Sequence, residues 1–222
     1  MSGALGIRFI TQIIGNFATI IIAPIMVFIV GRKLWLEYKE TGRINYIRLS
    51  IFAIFISFAY AIIPTNLYEV TPLKFFIAED VIGTSLNGIT PYSIAIGSMV
   101  TIALCMICYA NQWKKFYFTP LQIFIGMIIF YFLSGGFDLL YQPYILITGI
   151  IGLIFFYITG IRLKDNGSLG LGLFFTFSYL SVIFGETIPG DICTLLIAIF
   201  GLIFALGYFH PYNKTEIGGR KI

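Results

Sequence analysis

The sequence predicts an all-α integral membrane protein, a seven-transmembrane helix bundle with its N-terminus outside and its C-terminus inside. Two observations carry this prediction. Of the 222 residues, 59% are hydrophobic and only 11% are charged, a balance far from that of a soluble domain. The apolar residues also fall into seven runs, each near the ~20 residues that a helix needs to cross the bilayer. We expect one domain over residues 1–222.

The seven runs follow one another with mostly short connections. The predicted spans are residues 9–31, 47–63, 92–110, 116–133, 144–161, 169–185 and 192–209. Residues 65–90 form the one long connection, with Pro64, Pro72 and Pro91 as expected helix breakers. This segment is interpreted either as a surface helix or lid over the outer mouth of the bundle, or as an ordered connector without a role.

The basic residues set the orientation. Twelve of the 14 lysines and arginines lie in every second connection or in the C-terminal tail, namely Arg32, Lys33, Lys39, Arg43, Arg48, Lys114, Lys115, Arg162, Lys164, Lys214, Arg220 and Lys221. Only Arg8 and Lys74 lie on the opposite side. The positive-inside rule therefore places the C-terminus in the cytoplasm.

The same charge distribution bears on partners. In a soluble protein the net charge of +4 would suggest nucleic-acid binding, but here the basic residues lie on one side of the membrane. This basic inner face is expected to contact anionic lipid headgroups, and no nucleic-acid binding is expected. The predicted partners are the lipid bilayer and either another membrane protein or a second copy of the chain. The predicted location is a multi-pass position in the cell membrane.

Charged side chains are absent from the middle of every predicted span. Ionisable groups at that depth usually mark proton relays, ion paths or cofactor counter-ions, so their absence disfavours a proton-coupled pump and an enzyme. The single histidine, His210, cannot form a haem-binding pair within the chain. Cys105 and Cys108 are interpreted as small buried side chains, because no second pair accompanies them. We expect no cofactor and no metal.

Small side chains recur every three or four residues in several spans. The third span carries Ser93, Gly97, Thr101, Cys105 and Cys108, and the fifth carries Thr148, Gly152 and Thr159. Small residues let helix backbones approach closely in a membrane. These stripes therefore predict helix–helix contacts, with Phe, Ile and Leu on the remaining faces turned to lipid.

The first candidate site is a polar stripe on the first helix. Gln12, Asn16 and Thr19 are spaced to share one helix face, and Pro24 follows, where a kink is expected. These residues are predicted to line a small ligand-binding pocket that opens outward. The alternative is that their side chains only form hydrogen bonds between helices.

The second candidate site is an acidic rim on the outer side. It consists of Glu69, Glu79, Asp80, Asp138, Glu186 and Asp191. Clustered carboxylates attract cations or a basic partner. The alternative is that these are solvated residues of turns, since Gly185 to Asp191 has the composition of a tight turn.

Two segments carry a weak resemblance to a known family. A span that ends in Ile161-Arg-Leu-Lys-Asp-Asn-Gly167 is followed by Leu169-Gly-Leu-Gly172, and a second span enters through residues 43–57. These segments resemble the seven-helix membrane modules of archaeal and bacterial sensor proteins. The resemblance implies a sensory role, although no output domain is attached within these 222 residues.

Three functions follow from these observations. The first is a receptor-like or sensory membrane module that is not an enzyme and that acts through partner proteins or self-association. The second is a carrier or channel subunit for transport of a small solute or ion. The third is a structural subunit of a larger membrane complex, which the scarcity of polar chemistry also favours.

Overall fold

A computed structural model describes residues 2–71, 89–136, 139–185 and 187–209, without the side chains of residues 2–9. Within these ranges the chain forms seven α-helices and a 3-10 helix at Lys114–Phe116, and no strand. The α-helices are α1 Ser2–Thr41, α2 Tyr46–Val70, α3 Pro91–Ala110, α4 Thr119–Leu133, α5 Tyr141–Leu163, α6 Asn166–Phe184 and α7 Ile188–Leu206.

Seven helices of the described ranges are long and apolar enough to cross a membrane, with mean hydropathy between 1.6 and 2.5. For the described residues, the predicted all-α class and the presence of seven helices that could span a membrane are therefore confirmed. By the length and composition of its helices the chain is a membrane protein. The orientation stays a prediction from the basic residues.

Side-chain caps fix where several helices begin. The Asn45 side chain accepts hydrogen bonds from two backbone N–H groups at the start of α2. Thr90 and Ser93 form a reciprocal capping box at the start of α3, and Asp165 caps α6. Such caps satisfy N–H groups that have no partner inside the helix, so these three helices start at defined residues.

Two helices continue beyond the ends of the predicted membrane spans. Helix α1 continues to Thr41, because the charged residues beyond Gly31 form helix well although they are too polar for the membrane core. Helix α2 continues past Pro64 to Val70. The N–H that Pro64 lacks would have bonded the Tyr60 carbonyl, and since Pro64 lies on the exposed side of α2, the loss of this single bond does not end the helix.

Six of the helices form a closed ring. Helix α1 packs against α2 and α7, α2 against α3, α3 against α5, α5 against α6, and α6 against α7. Helix α4 lies outside this ring and packs mainly against α3. The bundle is thus a ring of six helices with a seventh attached to its side.

Large side chains fill the centre of the ring. Met26, Phe55, Ile107, Phe156 and Phe174 come from five different helices and are all fully buried. The Phe55 and Phe174 rings meet edge to face with their centroids 5.5 Å apart. Through the described part of the chain, the middle of the bundle is therefore a packed apolar core.

Candidate functional site

The polar stripe of α1 lies in the seam between α1 and α7. A Cβ added at Gly15 would lie 3.4 Å from the Asp191 carbonyl oxygen on α7, which shows how closely the two helices pack. Thr19 is 1% exposed, and its hydroxyl donates to the Gly15 carbonyl. Asn16 is 9% exposed, and Gln12 is partly exposed. The cavities described below are lined by other residues, and the predicted ligand pocket of the stripe stays a prediction.

Pro24 lies within a helix that is continuous from Ser2 to Thr41. Its ring is on an exposed face of the helix, away from the buried Ala23 and Met26. The proline therefore faces the lipid side of α1 in this arrangement.

Two members of the predicted acidic rim lie within helices instead of loops. Glu69 belongs to the last turn of α2. Asp191 belongs to the first turn of α7, where it is buried, and it accepts a hydrogen bond from Thr11 Oγ1 at 3.2 Å. Carboxylates stabilise the first turn of a helix, and this accounts for the position of Asp191 at the start of α7. Glu79, Asp80, Asp138 and Glu186 lie outside the described residues.

A groove of about 880 Å³ opens on the side of the bundle between α3, α4 and α5. Its lining is almost entirely apolar, with polar groups confined to one end and one wall. The lining residues are Leu104, Ile107, Cys108, Gln112, Trp113, Lys114, Lys115, Phe116, Thr119, Pro120, Ile123, Tyr144, Thr148, Ile151 and Phe155. We call this cavity the lateral groove.

The lateral groove exists because α4 meets the ring at only a few points. Phe124 of α4 lies over Gly97 of α3, where an added Cβ would be 2.5 Å from Phe124 Cε2. Nearer the start of α4, the Tyr144 hydroxyl donates to the Pro120 carbonyl at 3.0 Å. Since this hydroxyl has one hydrogen, its 3.0 Å bond with Thr101 is donated by threonine. These contacts tie α3, α4 and α5 together and leave space beside them.

The turn between α3 and α4 forms the polar end of the lateral groove. Trp113 N donates to the Cys108 carbonyl at 2.9 Å, and Gln112 N donates to the Tyr109 carbonyl at 3.0 Å. This is the Schellman arrangement, in which glycine is usual at the position of Gln112. Gln112 has φ +58°, a left-handed conformation that is costly for a residue with a Cβ.

The Asn111 side chain fastens the same turn to α5. Its Nδ2 donates to Thr159 Oγ1 at 2.8 Å and to the Ile107 carbonyl at 3.0 Å. The turn is thus held against the ring, while Lys114 and Lys115 beyond it are exposed. Neither lysine forms an ion pair within the described part of the chain.

A second, more polar cavity adjoins the lateral groove at the same end of the bundle. It measures about 1000 Å³ and is lined by Glu37, Thr41, Arg43, Ile44, Asn45, Tyr46, Ile47, Tyr109, Ala110, Gln112, Lys114 and Tyr117. We call it the basic-end vestibule. Gln112 and Lys114 line both cavities, so the two meet at these side chains.

A small cavity lies inside the ring near its other end. It measures about 90 Å³ and is lined by side chains of α2, α3, α5, α6 and α7. Tyr179, one of these, donates its hydroxyl to the Ile145 carbonyl at 3.2 Å. The volume is enough for a few water molecules and is far below the ≈ 300 Å³ of the smaller drug-sized sites.

Metal chemistry has little support in the part of the chain that the structure describes. No group of three His, Cys, Asp or Glu side chains there lies close enough to hold an ion. Cys105, Cys108 and Cys193 are free thiols, and Cys108 and Cys193 are buried.

The sequence did not identify the lateral groove. A signal for it exists: residues 116–133 have Gly126 as their only glycine and lack the stripe of small residues that marks the third span. A span without such a stripe packs loosely against its neighbours. Trp113, Lys114 and Lys115 come directly before this span. The missing stripe and these residues together indicate a cavity beside the span with basic residues at its opening.

No protein-family model, no curated protein and no solved structure matches the chain.

Proposed function

We propose that the protein is a receptor-like or sensory membrane module whose ligand is an amphiphile dissolved in the membrane. The ligand enters the lateral groove from the side, and α4 passes on its presence to a partner protein or a second copy. The observation that carries this proposal is an 880 Å³ apolar groove beneath a helix that packs mainly against one neighbour.

The size and lining of the groove support a ligand of this kind. Its volume falls within the ≈ 300–1,000 Å³ of small-molecule sites, which are mostly apolar with a few polar groups. Its amide and ammonium groups, those of Gln112, Lys114 and Lys115, lie together at one end, and its other polar groups are hydroxyls of the wall. A ligand with one polar end and one apolar end matches that arrangement.

Helix α4 is the element that such a ligand would displace most easily. Its apolar side chains face outward along most of its length, including Ile125, Ile129 and Phe132. Elements with few buried contacts open at low free-energy cost, and a ligand shifts an equilibrium by its differential affinity for the two states. Occupancy of the groove would therefore change the position of α4 before it changed the ring.

The packed ring favours this function over a carrier or channel. A solute path along the axis of the ring would have to displace Phe55, Phe156 and Phe174, which are fully buried. A structural subunit is the stronger rival, because the exposed face of α4 also suits a permanent partner. In either case we propose that the chain lies in the cell membrane, with its basic end in the cytoplasm by the positive-inside rule.

Trp113 offers a direct test, because it lines the groove and the chain has only two tryptophans. In a Trp35→Phe background, phospholipids with brominated acyl chains should quench Trp113 fluorescence on contact. The pair Ile123→Phe with Ile151→Phe narrows the groove and should reduce that quenching.

A matched control pair is Ile129→Phe with Ile150→Phe. These residues lie on the same two helices and are exposed without lining the groove, so quenching should stay at the level of the background variant. Equal quenching in both pairs would mean that the groove is not where the lipid contacts Trp113, and the proposed function would lose its site.

A further inference from the structure

We propose that the ligand of the lateral groove is an anionic diacyl phospholipid from the leaflet at the basic end of the bundle. One acyl chain lies in the groove, and the phosphate lies between Gln112 and Lys114, where the groove meets the basic-end vestibule. This inference rests on the proposed function, because it names the ligand of the same groove.

The length of the groove matches one leaflet. Along α5 its lining runs from Phe155 to Tyr144, a distance of about 16 Å at 1.5 Å per residue. The hydrocarbon core of a bilayer is about 30 Å thick, so the groove is about as long as one leaflet is thick. On α5 its lining ends at Phe155, before the helix reaches the basic end at Leu163, and the turn with Gln112 and Lys114 continues the lining to that end. A groove of that length fits one acyl chain from a single leaflet, whereas a partner helix that spans the membrane needs about twice that length.

The charges at the mouth favour a negative headgroup. Lys114 and Lys115 are exposed and form no ion pair within the described chain, and Arg43 lines the adjoining vestibule. The carboxylate in that vestibule, Glu37, is already neutralised, since Arg48 Nε lies 3.1 Å from Glu37 Oε2 and Asn45 donates to Glu37 Oε1 at 3.1 Å. The unpaired charge at the mouth is therefore positive.

The backbone at Gln112 is a second, independent indication. Gln112 is one of two non-glycine residues with positive φ in the described chain, the other being Lys164 at the end of α5. Glycine would relieve the strain at either position, and strain that persists often accompanies a functional site. Gln112 places a side-chain amide, a donor for phosphate oxygens, where the two cavities meet.

The test uses the Trp35→Phe protein in phosphatidylcholine vesicles that contain phosphatidylglycerol, with bromine on the chains of one lipid or the other. At equal mole fraction, brominated phosphatidylglycerol should quench Trp113 more strongly. A lysine near a membrane surface contributes an attraction equivalent to roughly fivefold in binding. Combining Lys114→Gln with Lys115→Gln should therefore remove most of the preference.

The matched control removes two basic residues elsewhere at the same end. Arg32→Gln with Lys39→Gln lowers the charge equally, and both residues are exposed on α1 and line neither cavity. The preference for phosphatidylglycerol should survive in this variant. An equal loss in both variants would assign the preference to the whole basic face and overturn the site.

A second comparison separates the site from folding. Gln112→Gly relieves backbone strain and should keep the protein folded while it lowers the preference for phosphatidylglycerol. Lys164→Gly relieves the same strain outside the groove lining and should leave the preference unchanged. If Gln112→Gly leaves the preference for phosphatidylglycerol unchanged, the Gln112 amide does not bind the phosphate.

Three outcomes overturn the inference in different ways. Equal quenching by the two lipids would reject the anionic ligand and leave the amphiphile groove in place. Quenching by neither lipid would reject the ligand and the proposed function together. Quenching that rises when the protein is diluted in lipid would identify the occupant as a second copy of the chain.

Discussion

Helices α3 and α4 belong to membrane spans of equal length and similar hydropathy, but α3 is largely buried within the protein and α4 is largely exposed. The span Pro91–Ala110 is α3, and the span Lys114–Leu133 contains the 3-10 helix and α4. Each span has 20 residues, with mean hydropathy of 2.0 and 1.8. In their most apolar stretches, 61% of the residues of the first are buried within the protein and 6% of the second. Hydropathy thus decides that a helix enters the membrane, and other features decide whether it joins the core.

Small side chains are the feature that separates the two helices. On α3, Gly97 allows Phe124 and Tyr141 to approach so closely that an added Cβ would lie 2.5 Å and 2.9 Å from them. On α4, an added Cβ at Gly126 would meet nothing within 4 Å. In lipid, where apolar burial does not drive helices together, close backbone approach is what holds them.

The largest expected effect is on thermal stability in detergent when these glycines are replaced by leucine. Gly97→Leu forces a bulky side chain against Phe124 and Tyr141 and should cost about 1–3 kcal/mol, lowering the midpoint of unfolding. Gly126→Leu should leave the midpoint unchanged, because space is open there. Similar midpoints for the two variants would contradict the difference between the helices.

A smaller effect is expected from the hydroxyl that ties α4 to the ring. Tyr144→Phe removes the bonds to Pro120 and Thr101, and hydrogen bonds between membrane helices average about 0.6 kcal/mol each. The loss should therefore be about 1 kcal/mol in denaturant unfolding. Tyr60→Phe alters an exposed tyrosine of α2 and should have no effect. A loss in the second variant equal to that in the first would mean that the bonds contribute nothing.

The turn between the two helices should gain stability. Gln112→Gly frees the left-handed position at the end of α3 and is expected to stabilise the protein by about 0.5–1 kcal/mol. Lys164→Gly should do the same at the end of α5. A decrease in unfolding midpoint for Gln112→Gly would show that the glutamine side chain itself supports the fold.

The smallest effect is expected in the seam between α1 and α7, where cysteine labelling separates a pocket from a packed interface. The hypothesis of an outward pocket predicts that cysteines at positions 12, 16 and 19 react with water-soluble thiol reagents added from outside. The burial of Asn16 and Thr19 leads us to expect reaction only at position 12. Reaction at all three would restore the stripe as a ligand site.

The sequence was sufficient to predict the seven apolar helices and the buried face of α3. Apolar runs predicted all seven helices, and the stripe through Gly97 and Thr101 predicted a buried face, which the structure confirms. It was less informative at helix ends, because hydropathy stops at Gly31 and Pro64 while helical hydrogen bonding continues.

The sequence carries a signal for loose packing of α4, but it does not give the size or the lining of the lateral groove, because these depend on which residues α4 fails to contact. Gly97 can be recognised in the sequence as a point of close helix contact. The sequence does not show that Phe124 packs over Gly97 and that space remains beside Ile123 and Ile151. Likewise, nothing local to Gln112 distinguishes it from an ordinary loop residue, since its left-handed conformation follows from how α3 ends.

Spin-label distances across the membrane plane test most directly whether α4 moves relative to the ring. One pair joins Ile129 on α4 to Ile56 on α2, and a control pair joins Ile150 on α5 to Ile56, all three being exposed residues. The control distance should be narrow and the same in phosphatidylcholine and phosphatidylglycerol vesicles. The α4 distance should be broader and should shift between the two lipids. A narrow α4 distance that is the same in both lipids would contradict α4 as the responding helix.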